Sequence, residues 1–324
     1  MMKTGLSYGD VCLVPKYNNV TSRSIPSFKT QATKQSIMQI PIFAANMDTV
    51  IGPRLAEVLV QLGSYPVFHR FYKESKIGEL IDLVRKYEEK CYISWGASNL
   101  GELFTLLNGN SLKPKGVFLD IAHGHSIMVE EAIKRIKCRY AETFEVIAGN
   151  VCTPAAVMDL AHWGADAVKV GIGPGSVCTT RNVTAFGSPQ FTAVQECAEI
   201  GKRLKVPIIA DGGIKGSREI ILALAAGANT VMIGRLFAET EEGNNDGHYR
   251  GQASQSFQND YFGGVKEGTV PEGTFKLVGK NVPAEKMTKE LLAGLASGMT
   301  YCGAKTIAEL QEKAEFMRVT QSYW

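Results

Sequence analysis

The sequence is short of several things, and each shortage removes a class of function. Its 35 Lys+Arg nearly balance 32 Asp+Glu, for a formal charge of +3, and no run of five or six basic residues occurs. Nucleic-acid surfaces need concentrated positive charge, so no nucleic-acid partner is expected. No stretch of about 18 uninterrupted apolar residues exists, so no membrane span is expected either. The opening Met1-Met2-Lys3-Thr4-Gly5 leads into mixed residues without an apolar signal core, which predicts a cytoplasmic protein. The seven cysteines, an odd number, form no CxxC pair and no Cys/His cluster of zinc spacing. Free thiols in a reducing compartment are expected rather than a disulfide framework. Low-complexity tracts are missing, and no second domain is evident. The 324 residues read as one globular domain.

What is present is alternation. Short apolar runs at 40–46, 66–70, 91–96, 116–120, 145–150, 167–171, 206–212 and 230–234 read as strands. Amphipathic stretches at 52–63, 76–89, 126–139, 154–163, 190–204 and 216–226 lie between them and read as helices. Strand–helix repetition predicts parallel pairing and an α/β fold. Eight such strands suit a (β/α)8 TIM barrel. A doubly wound sheet also alternates, but its phosphate fingerprint after the first strand is missing. Residues 1–39 read as an N-terminal arm over the base of the barrel. Residues 240–287, rich in Gly, Asn, Asp, Gln and Glu, read as a long flap or lid. Helical patterns resume at 285–298 and 304–315.

Polar residues sit at or just past the predicted strand ends: Asn46-Met47-Asp48, His69-Arg70, Asp120 with His123, Asn150, Gly171 and Asp211. Those ends form the catalytic face of a barrel. The segment Gly171-Ile172-Gly173-Pro174-Gly175-Ser176-Val177-Cys178-Thr179-Thr180-Arg181 follows a strand. Its alternating glycines let the backbone approach a ligand and point amides inward. Ser176 offers a hydroxyl to a phosphate, and Cys178 stands where a nucleophilic thiolate is placed. Asp211-Gly212-Gly213 and Gly234-Arg235 follow the last two strands, whose loops commonly bind phosphate. Asp211 suits two vicinal hydroxyls, as on a ribose. The alternative for both loops is a tight turn without a ligand.

These blocks resemble the IMP dehydrogenase/GMP reductase family. Val168–Thr180 is similar to the family signature, and Ala45-Asn46-Met47-Asp48-Thr49-Val50, Ala148-Gly149-Asn150-Val151 and Asp211-Gly212-Gly213 stand in the family's order over nearly the whole chain. IMP dehydrogenases usually insert a regulatory CBS pair between barrel strands two and three. Only residues 71–90 separate Arg70 from Cys91, so no CBS insert fits. The Asn46-Met47-Asp48 form, Asp120-Ile121-Ala122-His123-Gly124-His125-Ser126 and the short length resemble bacterial-type GMP reductases.

The resemblance implies NADPH-dependent reductive deamination of GMP to IMP and ammonia, through a covalent purine adduct on Cys178. It implies GMP phosphate on Ser176, Gly213, Gly234 and Tyr261, ribose on Asp211, and Met47, Gly212, Arg235 and Gly263 around the same nucleotide. Thr180 matches the family's first proton donor. Glu272, in Pro271-Glu272-Gly273, matches the flap acid, with Glu267 its rival. Arg70, Asp120, Asn150 and Thr180 are implied near the nicotinamide. The carbonyls of Gly171, Gly173 and Cys178 resemble a potassium loop. A homotetramer is implied by resemblance alone. His69 and His123 read as structural histidines, and Trp95 as a cofactor contact or a barrel cap. Two departures stand out. Tyr261-Phe262-Gly263-Gly264 lacks the usual Met or Ser after Gly263, which leaves a related or deoxy purine nucleotide open as substrate. Residues 273–279 lack the Arg-Tyr pair with which IMP dehydrogenases activate water. An IMP dehydrogenase without its insert and a catalytically silent nucleotide sensor are the competing readings.

Overall fold

In the computed structural model, which describes residues 2–140 and 143–320, the alternation closes into a (β/α)8 barrel. Its strands are β1 (Ile42–Ala44), β2 (Val67–Phe68), β3 (Tyr92–Trp95) and β4 (Gly116–Asp120), followed by β5 (Glu145–Val151), β6 (Ala167–Val170), β7 (Ile208–Asp211) and β8 (Thr230–Ile233). Parallel ladders join them in the order β1-β8-β7-β6-β5-β4-β3-β2. The two ends of that order are consecutive strands, tied where the Ser64 hydroxyl donates to the Ile42 carbonyl at 2.7 Å.

The outer ring consists of α1 (Pro53–Gln61), α2 (Ile77–Tyr87), α3 (Leu100–Gly109), α4 (Ile127–Tyr140), α5 (Pro154–Trp163), α6 (Gln190–Leu204), α7 (Ser217–Ala225) and α8 (Ala284–Tyr301). Helix α8 packs against both α7 and α1, which closes the ring. Helix α3 is not among the segments expected from sequence. Its Leu100, Leu103, Leu106 and Leu107 are buried at helical spacing, but Gly101 and Gly109 dilute the pattern. Helix α5 shows how local chemistry sets the ends. The Thr153 hydroxyl accepts the Ala156 amide, Pro154 opens the first turn, and Gly164 closes it at φ 112°.

Strand alternation divides the core in two. Ile93, Leu119, Val146 and Val168 face outward and pack under the helices. Phe43, Val67, Tyr92, Phe118, Ile147, Ala167, Ile209 and Met232, one from each strand, fill the barrel with Met38 of the arm. Phe43, Tyr92 and Phe118 meet edge to face at 5.4–6.4 Å. Side chains two residues further along share a face. Phe118, Ala167 and Ile209 therefore put Asp120, Lys169 and Asp211 on the same axis, one layer nearer the mouth.

The arm seals the other end. Strands Thr30–Gln31 and Ile37–Met38 form a hairpin there. Buried Glu145 accepts hydrogen bonds from Thr33, Ser36 and Tyr92. The segment 240–287 is itself folded: His248–Arg250 pairs antiparallel with Phe275–Leu277, and a helix spans Gln255–Phe262 between them. Among the described residues no helix is long and apolar enough to cross a membrane.

Candidate active site

A cavity of about 1130 Å³ opens at the C-terminal end of the strands. Pockets for a single small ligand run to about 300–1,000 Å³, so this one has room for more than one. Of the seven cysteines, only Cys178 lines it. Burial pushes the Cys91 thiol up to about 12 and raises Cys197 further, as expected of inert core thiols.

The loop after β6 gets its course from two glycines. A Cβ on Gly171 would lie 2.0 Å from the Asp211 carbonyl oxygen, and Gly173, at φ 90°, would strike Arg181 at 2.6 Å. The chain then turns, Cys178 N–H donating to the Gly175 carbonyl at 3.1 Å. Cys178 Sγ ends 3.2 Å from Thr180 Oγ1.

The flap docks on this loop as a short strand. Thr179 N–H donates to the Glu272 carbonyl at 2.9 Å, and Thr274 N–H to the Val177 carbonyl at 2.9 Å. Cys178 and Gly273 form a β-bridge. Half-buried Glu272 thereby lines the cavity beside Cys178 and Thr180, whereas Glu267 is exposed and does not line it. Of the two acids left open by the sequence, only Glu272 lines the cavity that Cys178 lines.

The nucleotide-side residues Met47, Ser176, Asp211, Gly212, Gly213, Gly234 and Arg235 all line the cavity. Gly212 and Gly213 have φ 90° and 79°, which favours glycine at both. Tyr261 and Gly263 do not line the cavity, although Gln258 and Phe262 of the same flap segment do. Tyr261 is half-buried, stacked on Phe257 at 4.6 Å, tilted against Phe71 at 5.7 Å and covered by Arg250 at 5.7 Å. The tyrosine that reaches in is Tyr249, buried, its hydroxyl beside Gly234 and donating to Met47 Sδ at 3.8 Å. Burial pushes its pKa up to about 12, so it is a protonated donor at neutral pH. The segment 240–287 holds two Tyr-x-Gly triplets, 249–251 and 261–263, and only the fold separates their tyrosines.

At the other end, Arg70, Asp120 and Asn150 line the cavity with a residue the sequence reading missed, Lys169. Its ammonium lies 2.8 Å from Asp120 Oδ1 and 2.6 Å from Asp211 Oδ2. Burial alone would raise the Asp120 pKa, but Lys169, Asn46 and Arg70 together hold it below the ordinary carboxylate value. A lysine inside the apolar run Ala167-Val168-Lys169-Val170 was the available signal. Asn150 Nδ2 donates to the Gly171 carbonyl at 2.7 Å. Gln252, another residue not anticipated, lines the cavity and donates to the Asn46 carbonyl at 2.7 Å.

Two residues settle as structural. His69 is buried, stacks on Tyr72 at 4.5 Å and accepts the Phe71 amide at Nδ1. Burial lowers its pKa to about 4, so it is neutral at physiological pH. Trp95 packs in the strand–helix layer, its Nε1 donating to Asn99 at 2.8 Å, away from the cavity lining. The flap is braced from outside: Arg250 bonds Asp48 at 2.7 Å and Asp260 at 2.5 Å.

Comparison with known proteins agrees with this arrangement. Residues 5–323 match the family described as IMP dehydrogenase / GMP reductase domain. The chain is 46% identical over 225 residues to an inosine-5'-monophosphate dehydrogenase of Chlorobaculum tepidum, covering 64% of this chain and 45% of that protein. It thus spans under half the length of that relative. It is 37% identical over 331 residues to GMP reductase 2 of Bos taurus, covering 98% and 94% of the two chains. A crystal structure of a Trypanosoma brucei GMP reductase variant in complex with guanosine 5'-monophosphate superposes with a TM-score of 0.88 at 25% identity, over 99% of this chain and 97% of that one.

Proposed function

The chain belongs to the IMP dehydrogenase/GMP reductase family, and from that premise we propose that it is an NADPH-dependent GMP reductase. The observation that carries this reading is the strand pairing of 272–274 with Val177–Thr179, which brings a carboxyl group to the cavity beside Cys178 and Thr180. The end-to-end likeness to GMP reductase 2, and to a fold solved with GMP bound, supports the same substrate.

In this proposal Ser176, Tyr249, Gly213 and Gly234 hold the phosphate, and Asp211 the ribose hydroxyls. The Cys178 thiolate adds to purine C2, and the C2–N bond breaks to release the 2-amino group as ammonia. That nitrogen must gain a proton to leave, and Thr180 with Glu272 relays it. NADPH, when bound, supplies the hydride that C2 takes up. The C2–S bond then breaks, returning the thiolate and freeing IMP. Over the cycle GMP, NADPH and two protons give IMP, NADP+ and ammonium. Arg70 and Asp120 face the nicotinamide end, and Asn150 braces Asp211. A cytoplasmic homotetramer belongs to the same proposal.

The 46% identity to an IMP dehydrogenase favours a second reading, oxidation of IMP to XMP with NAD. Residues 271–280 carry no Arg-Tyr pair to deprotonate the water this needs. One assay separates the two. With GMP and NADPH the protein should consume reduced cofactor and release one ammonia per cofactor oxidised. Steady XMP formation from IMP and NAD would overturn the reductase assignment.

A further inference from the structure

We infer that Lys169 is the positioning residue that holds the nucleotide-side and cofactor-side aspartates, Asp211 and Asp120, as one unit on the barrel axis. The inference rests on the GMP reductase reading for what those two carboxylates bind. It rests on geometry for the unit itself. Lys169 projects from the middle of β6 and is 3% exposed, on the floor of the cavity it lines. Such a charge persists inside a protein only when paired and hydrogen-bonded. Here it is paired twice, at 2.8 Å to Asp120 from β4 and at 2.6 Å to Asp211 from β7.

The remaining hydrogen bonds show what this pairing orients. Asp120 Oδ2 accepts from Asn46 Nδ2 at 2.8 Å, so both oxygens of Asp120 are held. The Asn46 carbonyl in turn receives Gln252 of the flap. On the other side, Asp211 Oδ2 accepts from Lys169 and from Asn150 Nδ2 at 2.9 Å. Asp211 Oδ1 makes no hydrogen bond among the described residues, and Asp211 lines the cavity. Two donors on one oxygen leave the other available to a ligand hydroxyl. Lys169 thus fixes the orientation of a carboxylate it does not share with the substrate. Without it, two buried carboxylates would confront each other with no cation between them.

Three variants test this: K169M, D120N and the double variant K169M/D120N. GMP affinity is read by calorimetry, and the ligand-free unfolding midpoint by thermal denaturation. K169M should weaken GMP binding at least about tenfold, the scale expected when a buried pair loses one member. The double variant should recover at least about threefold of that affinity, and a higher midpoint than K169M, because one of the two opposed charges is gone. A lysine that served only as packing would give no such recovery. Folded K169M binding GMP within about threefold of wild type would overturn the inference. So would a double variant no better than K169M. Should K169M fail to fold, the double variant decides: folded and binding GMP supports the inference, and unfolded overturns it. A wild type that binds no GMP removes the substrate reading instead, and the midpoints still report whether Lys169 joins the two carboxylates.

Discussion

Replacing Tyr249 by Phe removes one oxygen and nothing else. The ring stays in its buried place under Gly234, so no cavity forms and the fold should be kept. What is lost is the hydroxyl beside Gly234 that donates to Met47 Sδ at 3.8 Å, on the side of the cavity where the phosphate is proposed to bind. With its pKa near 12 the hydroxyl is a donor throughout the physiological range. A donor to a charged oxygen in a water-poor site contributes about 1.5–3 kcal/mol. Part is offset because the hydroxyl's contact with Met47 is lost in the free protein too, so the low end of that range is expected. The outcome is a GMP affinity about tenfold weaker, measured by calorimetry, since 1.4 kcal/mol is a factor of ten. Guanosine, which has no phosphate, should bind both proteins alike. Tyr261→Phe is the matched control and should leave GMP affinity unchanged, because Tyr261 faces Phe257 and Arg250 outside the lining. A GMP affinity unchanged in Tyr249→Phe, or a larger loss in Tyr261→Phe, would refute the placement of the phosphate.

Cys178→Ala should abolish turnover while GMP still binds within about tenfold of wild type, since phosphate and ribose contacts lie elsewhere; a tenth of the wild-type rate surviving would end the covalent mechanism. Glu272→Gln should suppress ammonia release, whereas Glu267→Gln should not, because Glu267 is exposed and off the cavity; the reverse ranking would move the acid. His69 should make stability fall with acid. Its folded pKa is lowered from 6.5 to about 4 by burial, so the neutral form's contribution is complete above pH 6.5. Between pH 6.5 and 4 the unfolded chain binds the extra proton and up to about 3 kcal/mol is lost. Urea unfolding of His69→Gln between pH 7 and 5 should show a shallower decline than wild type, and equal slopes would assign the acid sensitivity elsewhere.

Much of the frame was legible in the sequence because it depends on local periodicity. Helices at 154–163 and 190–204 fall where the apolar spacing puts them. Seven of the eight barrel strands lie within the apolar runs, several of them shorter, as Val67–Phe68 is within 66–70, and Glu145–Val151 runs one residue past 145–150. The Cys178 loop was legible too, since glycines that permit positive φ and a close backbone approach are visible as letters. Helix α3 was not, because glycines at both ends blurred a correct leucine stripe.

By itself, then, the sequence determined the alternation of strand and helix, the position of the cysteine proposed as nucleophile, and the glycines around it, all of which are properties of short segments. Only the tertiary structure decided which of the flap tyrosines Tyr249 and Tyr261 lines the cavity, and which of the two flap glutamates lines it with Cys178. Those choices rest on the pairing of 272–274 with Val177–Thr179, a contact between segments far apart in the chain. The same holds for Lys169. Its inward direction follows from strand parity, but its meaning comes from closure, which sets Asp120 of β4 and Asp211 of β7 against one ammonium. A charge buried at the barrel axis is stable only where other strands supply its partners, and no local pattern records who those partners are.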